Sequence, residues 1–182
     1  LALLDYPSKD VKDKDNDVVV KELIELLIKT QPDVLYTHNL ADKHDSHLGV
    51  VTKTIKALRQ IDKSQRPSQL IGCEVWRALD WVNDDEKLIL DVSGHPNLAA
   101  SLVEVFDSQI VGGKRYDAAT VGRRLANATF SASHSVDETN AVTYAMDLTP
   151  LILDDSLDVI TFITDFINRF KEDVVSKLNK VL

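Results

Sequence analysis

The chain has 182 residues, 44% of them hydrophobic and 27% charged, a balance typical of one soluble globular domain able to bury its own core. A formal net charge of −8 argues against a nucleic-acid partner and against anionic membranes, and Arg115, Arg123 and Arg124 make only a small local basic group. No apolar run approaches the roughly 20 residues needed to span a bilayer, and the lone Cys73 excludes an internal disulfide framework and fits a reducing, cytoplasmic compartment.

The first residues, Leu1-Ala2-Leu3-Leu4-Asp5, read as a core strand closed by Pro7 and a charged loop through Asn16. Chains seldom start inside their own core, so a piece of a longer protein is expected. Asp17 is a candidate N-cap for a helix whose stripe is Val19, Leu23, Leu26 and Leu27. Pro32 then introduces Val34-Leu35-Tyr36-Thr37-His38, a compact β-rich run. After a polar loop, Leu48, Val51, Ile55 and Leu58 recur at helical spacing. Strand, helix, strand and helix with short links imply βαβ units and a mostly parallel sheet flanked by helices.

Two more strands are expected at Ser68–Trp76 and Lys87–Val92, with the acidic turn Asn83–Glu86 between them and Trp81 and Val82 packed beneath it. Pro96 suits the first position of a helix through Leu98, Leu102, Val105 and Phe106, stopped by Gly112 and Gly113. A further helix covers Ala118–Ala126. Asn140–Leu148 alternates weakly, as a strand or an extended segment. From Ser156 the stripe Ile160, Ile163, Ile167, Phe170, Val174 and Leu178 marks a long amphipathic helix, packed on its own sheet or on a second subunit as a homo-oligomer. With no repeat or linker, residues 1–182 read as a single domain.

One constellation carries chemistry. His44 and His47 lie three residues apart where a helix opens, so both rings share a face with Leu48, Val51 and Ile55. They follow the carboxyl end of the Pro32–His38 run, where open α/β sheets place ligands. Neutral imidazole is a good zinc ligand. A hydrolytic zinc wants three protein ligands and an open position for water. Two close histidines with Asp42 and Asp45 leave the set one ligand short. Capping by Asp45 or Ser46 is the plainer alternative for those residues.

Pro32-Asp33-Val34-Leu35-Tyr36-Thr37-His38-Asn39, followed by Asp42-Lys43-His44-Asp45-Ser46-His47, resembles the second signature block of the LmbE/PIG-L zinc-dependent de-N-acetylases. There a Pro-Asp-hydrophobic strand leads into Asp-x-His-Pro-Asp-His. Softer agreement follows in order at Gly72–Trp76, Asp91–Ser93, Ser108-Gln109 and Asn140–Ala145. The resemblance implies a Rossmann-like sheet and one zinc ion, with hydrolysis of an N-acetyl group from an N-acetylglucosamine-type sugar or related amide. By position His47 is the expected zinc ligand. His44 is the expected stabiliser of the tetrahedral oxyanion and proton donor to the leaving amine, with Asp42 supporting it. Tyr144 is a further candidate oxyanion donor, since some relatives use a tyrosine. Asp45-Ser46 stands where the family has Pro-Asp. The family's upstream His-Pro-Asp-Asp block, source of its other zinc ligands and general base, has no counterpart here. The expectation is therefore an N-terminally incomplete deacetylase domain lacking its first strand or strands, inactive as this piece; the alternative is a non-catalytic binding or interaction module on the same fold.

Other residues carry weaker signals. His95 before Pro96 reads as a cap. Trp76 and Trp81 suit packing or stacking on a sugar ring, Cys73 an inert core thiol, and Ser131–Ser135 with His134 a loop able to cover a substrate. No Gly-x-Ser-x-Gly elbow, Gly-x-Gly-x-x-Gly loop or Walker loop is present, which counts against serine esterases, dinucleotide enzymes and nucleotidases.

Overall fold

The structure, a computed structural model, describes residues 2–131 and 134–182. The chain folds into two compact units, the first made of residues up to Lys87 together with Ala145–Leu182 and the second of Leu88–Tyr144. Helices accompany an open four-stranded sheet of order β1-β2-β4-β3, so the protein is mixed α/β. The strands are β1 (Val34–His38), β2 (Gln69–Cys73), β3 (Leu88–Asp91) and β4 (Val142–Asp147). β1 and β2 are parallel, with Val34 opposite Gln69 and His38 opposite Cys73. β2 and β4 are antiparallel, with Gly72 opposite Met146.

In the first unit, α1 (Ser8–Lys12), α2 (Val18–Thr30) and α3 (Asp45–Gln60) precede and follow β1, and α6 (Pro150–Leu153) and α7 (Val159–Asn179) close the chain. α3 is the hub, packing on α1, α2, α6 and β1. Its apolar residues Val51, Ile55, Ala57 and Leu58 are buried, as helical spacing requires, and the same core holds Val20, Leu70, Met146, Leu148, Leu151 and Ile152. Each such large aliphatic side chain contributes about 1.5–3 kcal/mol relative to leaving it exposed. Residues 2–7 form no strand. Leu3 is 86% exposed, so the expectation of a core strand at the start fails: these residues bury no apolar face.

Local chemistry sets the element ends. Asp17 occupies the N-cap position of α2 without making a capping bond; its carboxylate is instead 2.6 Å from Lys56 Nζ. α2 stops where Gln31 turns left-handed, at φ 42°, immediately before Pro32, which cannot continue a helix. Gly72 is required by close approach: a Cβ there would meet Leu148 Cδ1 at 2.7 Å and the Asn39 Cα at 3.3 Å. The residue missing a side chain on β2 is thus what lets the loop after β1 pass.

α7 differs from the sequence expectation. Ile163 is its one buried residue, and the half-buried row is Phe162, Phe166 and Phe170. Arg169 stacks 4.5 Å above the Phe166 ring and pairs with Glu86, so the helix is turned with its aromatic row inward. Ile160, Ile167, Val174 and Leu178 consequently face solvent.

The second unit contains β3, the first half of β4, α4 (Pro96–Glu104) and α5 (Tyr116–Phe130). Val92 N–H donates to the Ala141 carbonyl beside the two strands, and α4 packs on α5. His95 holds the cap position of α4 with Pro96 first in the helix, but its side chain makes no capping bond. The Ser131–Ser135 loop includes Ala132 and Ser133, which lie outside the described residues. Among the described residues no helix is long and apolar enough to cross a membrane.

Candidate metal centre

The carboxyl end of β1 and the start of α3 are seven residues apart, and the loop between them is pinned from both sides. Asn39 is fully buried. Its Nδ2 donates to the Cys73 carbonyl at 3.1 Å and its Oδ1 accepts from Ala41 N–H at 3.0 Å. Asp42 Oδ1 then accepts from His44 N–H at 2.9 Å, an Asx-type turn that holds His44 extended and makes it the N-cap residue of α3. The cap expected at Asp45 or Ser46 therefore falls at His44, one or two residues earlier. The reason is that Asp42, outside the helix, sets where the helix can begin.

This loop brings three ligand-bearing side chains together: His38 from the end of β1, Asp42 from the loop and His47 from the first turn of α3. One ligand atom of each lies within 4.8 Å of the others. The His38 and His47 rings stack with centroids 3.9 Å apart and planes 8° from parallel. The Asp42 side chain is wholly buried, and its Oδ1 is 3.0 Å from His47 Nδ1. That proximity is not a hydrogen bond, since His47 Nδ1 and Asp42 Oδ2 are both buried without a hydrogen-bond partner. Buried polar atoms are rarely left so. An imidazole nitrogen and a carboxylate oxygen left without hydrogen bonds, in a group whose ligand atoms lie within 4.8 Å of one another, fit a bound cation. Zinc bonds of about 2.0–2.1 Å place tetrahedral ligand atoms roughly 3.3 Å apart, a modest contraction of the group.

Electrostatics favours the ligand form of His38. Burial, with the neighbouring His47 as a second cause, holds its pKa below the ordinary 6.5 while Asp42 pulls the other way. The ring is thus neutral near pH 7, as coordination demands. His44 stands beside the group. It is exposed, its ring 5.4 Å from that of His47 and edge-on to Trp76 at 4.7 Å.

The structure thus gathers Asp42, His44 and His47 at one place. Tyr144 belongs to the second unit, where it is buried and its hydroxyl donates to the Asn127 carbonyl at 3.1 Å. Cys73 is a half-buried free thiol whose pKa is raised, chiefly by burial and then by Glu74, a weak nucleophile. His38 is the member of the group that sequence reasoning missed. Its position as the last residue of β1, where α/β sheets gather ligands, was the available signal.

No family model matches the chain, and no curated protein matches it either.

Proposed function

We propose that the His38–Asp42–His47 group is a divalent-metal site of zinc type serving amide hydrolysis, the removal of an N-acetyl group from a sugar-like amine, on a Rossmann-like fold. The observation that supports it most is the pair of buried ligand atoms without hydrogen bonds on Asp42 and His47, grouped with His38. The resemblance of Asp42-Lys43-His44-Asp45-Ser46-His47 to the LmbE/PIG-L signature supplies the reaction class. A bound zinc would supply Lewis acidity and a lowered water pKa. In this reading His47, Asp42 and His38 hold the ion. His44, exposed beside them and edge-on to Trp76, aims a donor at the developing oxyanion and protonates the departing amine. Asp42 positions His44 through its backbone N–H.

A second reading, a binding module without catalysis, is favoured by Ser46, which cannot orient a neighbouring histidine as the family's aspartate would. Titration calorimetry and metal analysis on the whole chain test the site. One zinc per chain is expected, weakened at least about tenfold by His47→Ala. No stoichiometric zinc, or an unchanged affinity in the variant, refutes the site. A His-Pro-Asp-Asp block upstream of these residues in the parent protein, with amine release from N-acetylglucosamine by that longer chain, then separates the enzyme from a metal-holding module.

A further inference from the structure

β1 is an end strand of the sheet, and the bonds at its two ends show which backbone groups face outward. The Asn39 N–H donates to the Cys73 carbonyl at 3.2 Å, and the Asp33 carbonyl accepts from the Ser68 N–H at 2.9 Å. Successive residues of a strand turn their backbone groups to alternate sides, so the odd-numbered residues of this run face β2. Val34, Tyr36 and His38 therefore turn their N–H and carbonyl groups to the outer edge. Among the described residues no hydrogen bond reaches them there. Open sheet edges are commonly blunted by lysine, proline, charge or a bulge. Val34-Leu35-Tyr36-Thr37-His38 contains no lysine, proline or acidic residue, and its register with β2 runs without a bulge.

An apolar cleft of about 570 Å³ follows the same edge, touched by Leu35, Tyr36, Thr37 and His38. Consecutive side chains leave opposite faces of a strand, so a cleft that meets all four runs along the edge and not across one face. Leu23 and Leu26 of α2 and Val50 of α3 wall it on the other side, and among the described residues no lysine, arginine or carboxylate lines it. Tyr36 is 60% exposed and Val50 39%.

The backbone row and the apolar wall select the occupant together. A purely apolar ligand would cover the outward N–H and carbonyl groups without giving them partners, which is costly. An extended peptide satisfies that row and presents every second side chain to the wall. A second copy pairing through its own β1 would bring its own α2 to an edge that the first α2 already walls.

We propose that the outer edge of β1 is a strand-docking site, where an extended peptide from outside these 182 residues, apolar at alternate positions, adds as a further strand. Docking there requires no metal, so it stands or falls apart from the hydrolysis proposed above.

Titration calorimetry of the 182-residue chain without added metal, using the peptide acetyl-Lys-Val-Thr-Val-Thr-Val-Lys-amide as probe, tests it. One peptide per chain is expected, with a dissociation constant on the order of 10–100 µM. Tyr36→Pro removes the central outward N–H while the odd-numbered residues keep their bonds to β2, a substitution that edge strands accept. It should weaken binding at least about tenfold, with circular dichroism unchanged. The probe N-methylated at its valines and threonines keeps every side chain and should lose binding to the wild-type chain by at least the same factor. Absence of binding, or an unchanged affinity for Tyr36→Pro, would overturn the proposal. Binding that survives N-methylation would also overturn it, giving the cleft to apolar contact alone. So would a dimer in analytical ultracentrifugation that Tyr36→Pro dissolves, which would give the edge to a second copy.

Discussion

Replacing Asp42 by asparagine separates the metal reading of the site from a purely structural one. The Asp42→Asn substitution keeps the shape and the side-chain oxygen that accepts from His44 N–H, so the turn that starts α3 survives. It removes the carboxylate whose second oxygen is buried without a partner. Zinc at about 100 times its dissociation constant stabilises the folded chain by about 2.7 kcal/mol. For a chain of this length that raises the melting temperature by about 5–11 °C. Loss of one ligand that weakens binding about 100-fold brings the same zinc concentration to its dissociation constant and leaves only about 0.4 kcal/mol, about 1 °C. Differential scanning calorimetry with zinc and with a chelator measures both numbers. Without metal, the Asp42→Asn variant should melt at or above the wild-type temperature, because a neutral amide replaces a wholly buried carboxylate. A variant that keeps the full zinc shift would show that Asp42 is not a ligand. A large loss of stability without metal would show that its carboxylate is structural.

Two further outcomes follow from groups outside the site. Lys53, buried in α3, donates from Nζ to the carbonyls of Asp13 and Asn16 at 2.7 Å each, so Lys53→Met should cost about 1–3 kcal/mol as these charge-assisted bonds are lost; an unchanged urea midpoint would refute the clip. In the second unit the Asp91 carboxyl is held below its ordinary pKa, first by the Ser93 hydroxyl, then by that of Thr139. A depressed folded pKa favours the folded state above the ordinary carboxyl pKa of 3.8, and that contribution is lost as pH falls through the folded value. Thr139→Val should move the Asp91 titration upward in carboxyl-detected NMR, and an unmoved titration would show that the Thr139 contact at 2.7 Å does not hold in solution.

Much of the secondary structure is legible because its causes are local. Pro32 after a left-handed Gln31 ends α2, Pro96 opens α4, and the spacing of Val51, Ile55 and Leu58 defines the buried face of α3. The pairing of β4 with β2 is not legible in this way, since an antiparallel neighbour so far along the chain leaves no local trace.

The candidate site divides along the same line. His44 and His47 are visible as a pair because only two residues separate them, although only His47 lies on α3, while His44 is its extended, exposed N-cap residue and does not continue the buried face. His38 is not, since it is nine residues from His47 across a loop whose path depends on Asn39 gripping the carbonyl of Cys73, 34 residues away. α7 makes the same point: its periodicity shows an amphipathic helix, but both Phe162–Phe166–Phe170 and Ile160–Ile167–Val174 satisfy a helical spacing. Sequence by itself determined the longer helices α2, α3, α4, α5 and α7 and that His44 and His47 stand close together where α3 opens, but not α1, which falls in the stretch read as a charged loop, nor α6. Only the tertiary structure decided that His38 joins Asp42 and His47 and which stripe of the last helix faces water, because those depend on side chains from distant segments filling the same space.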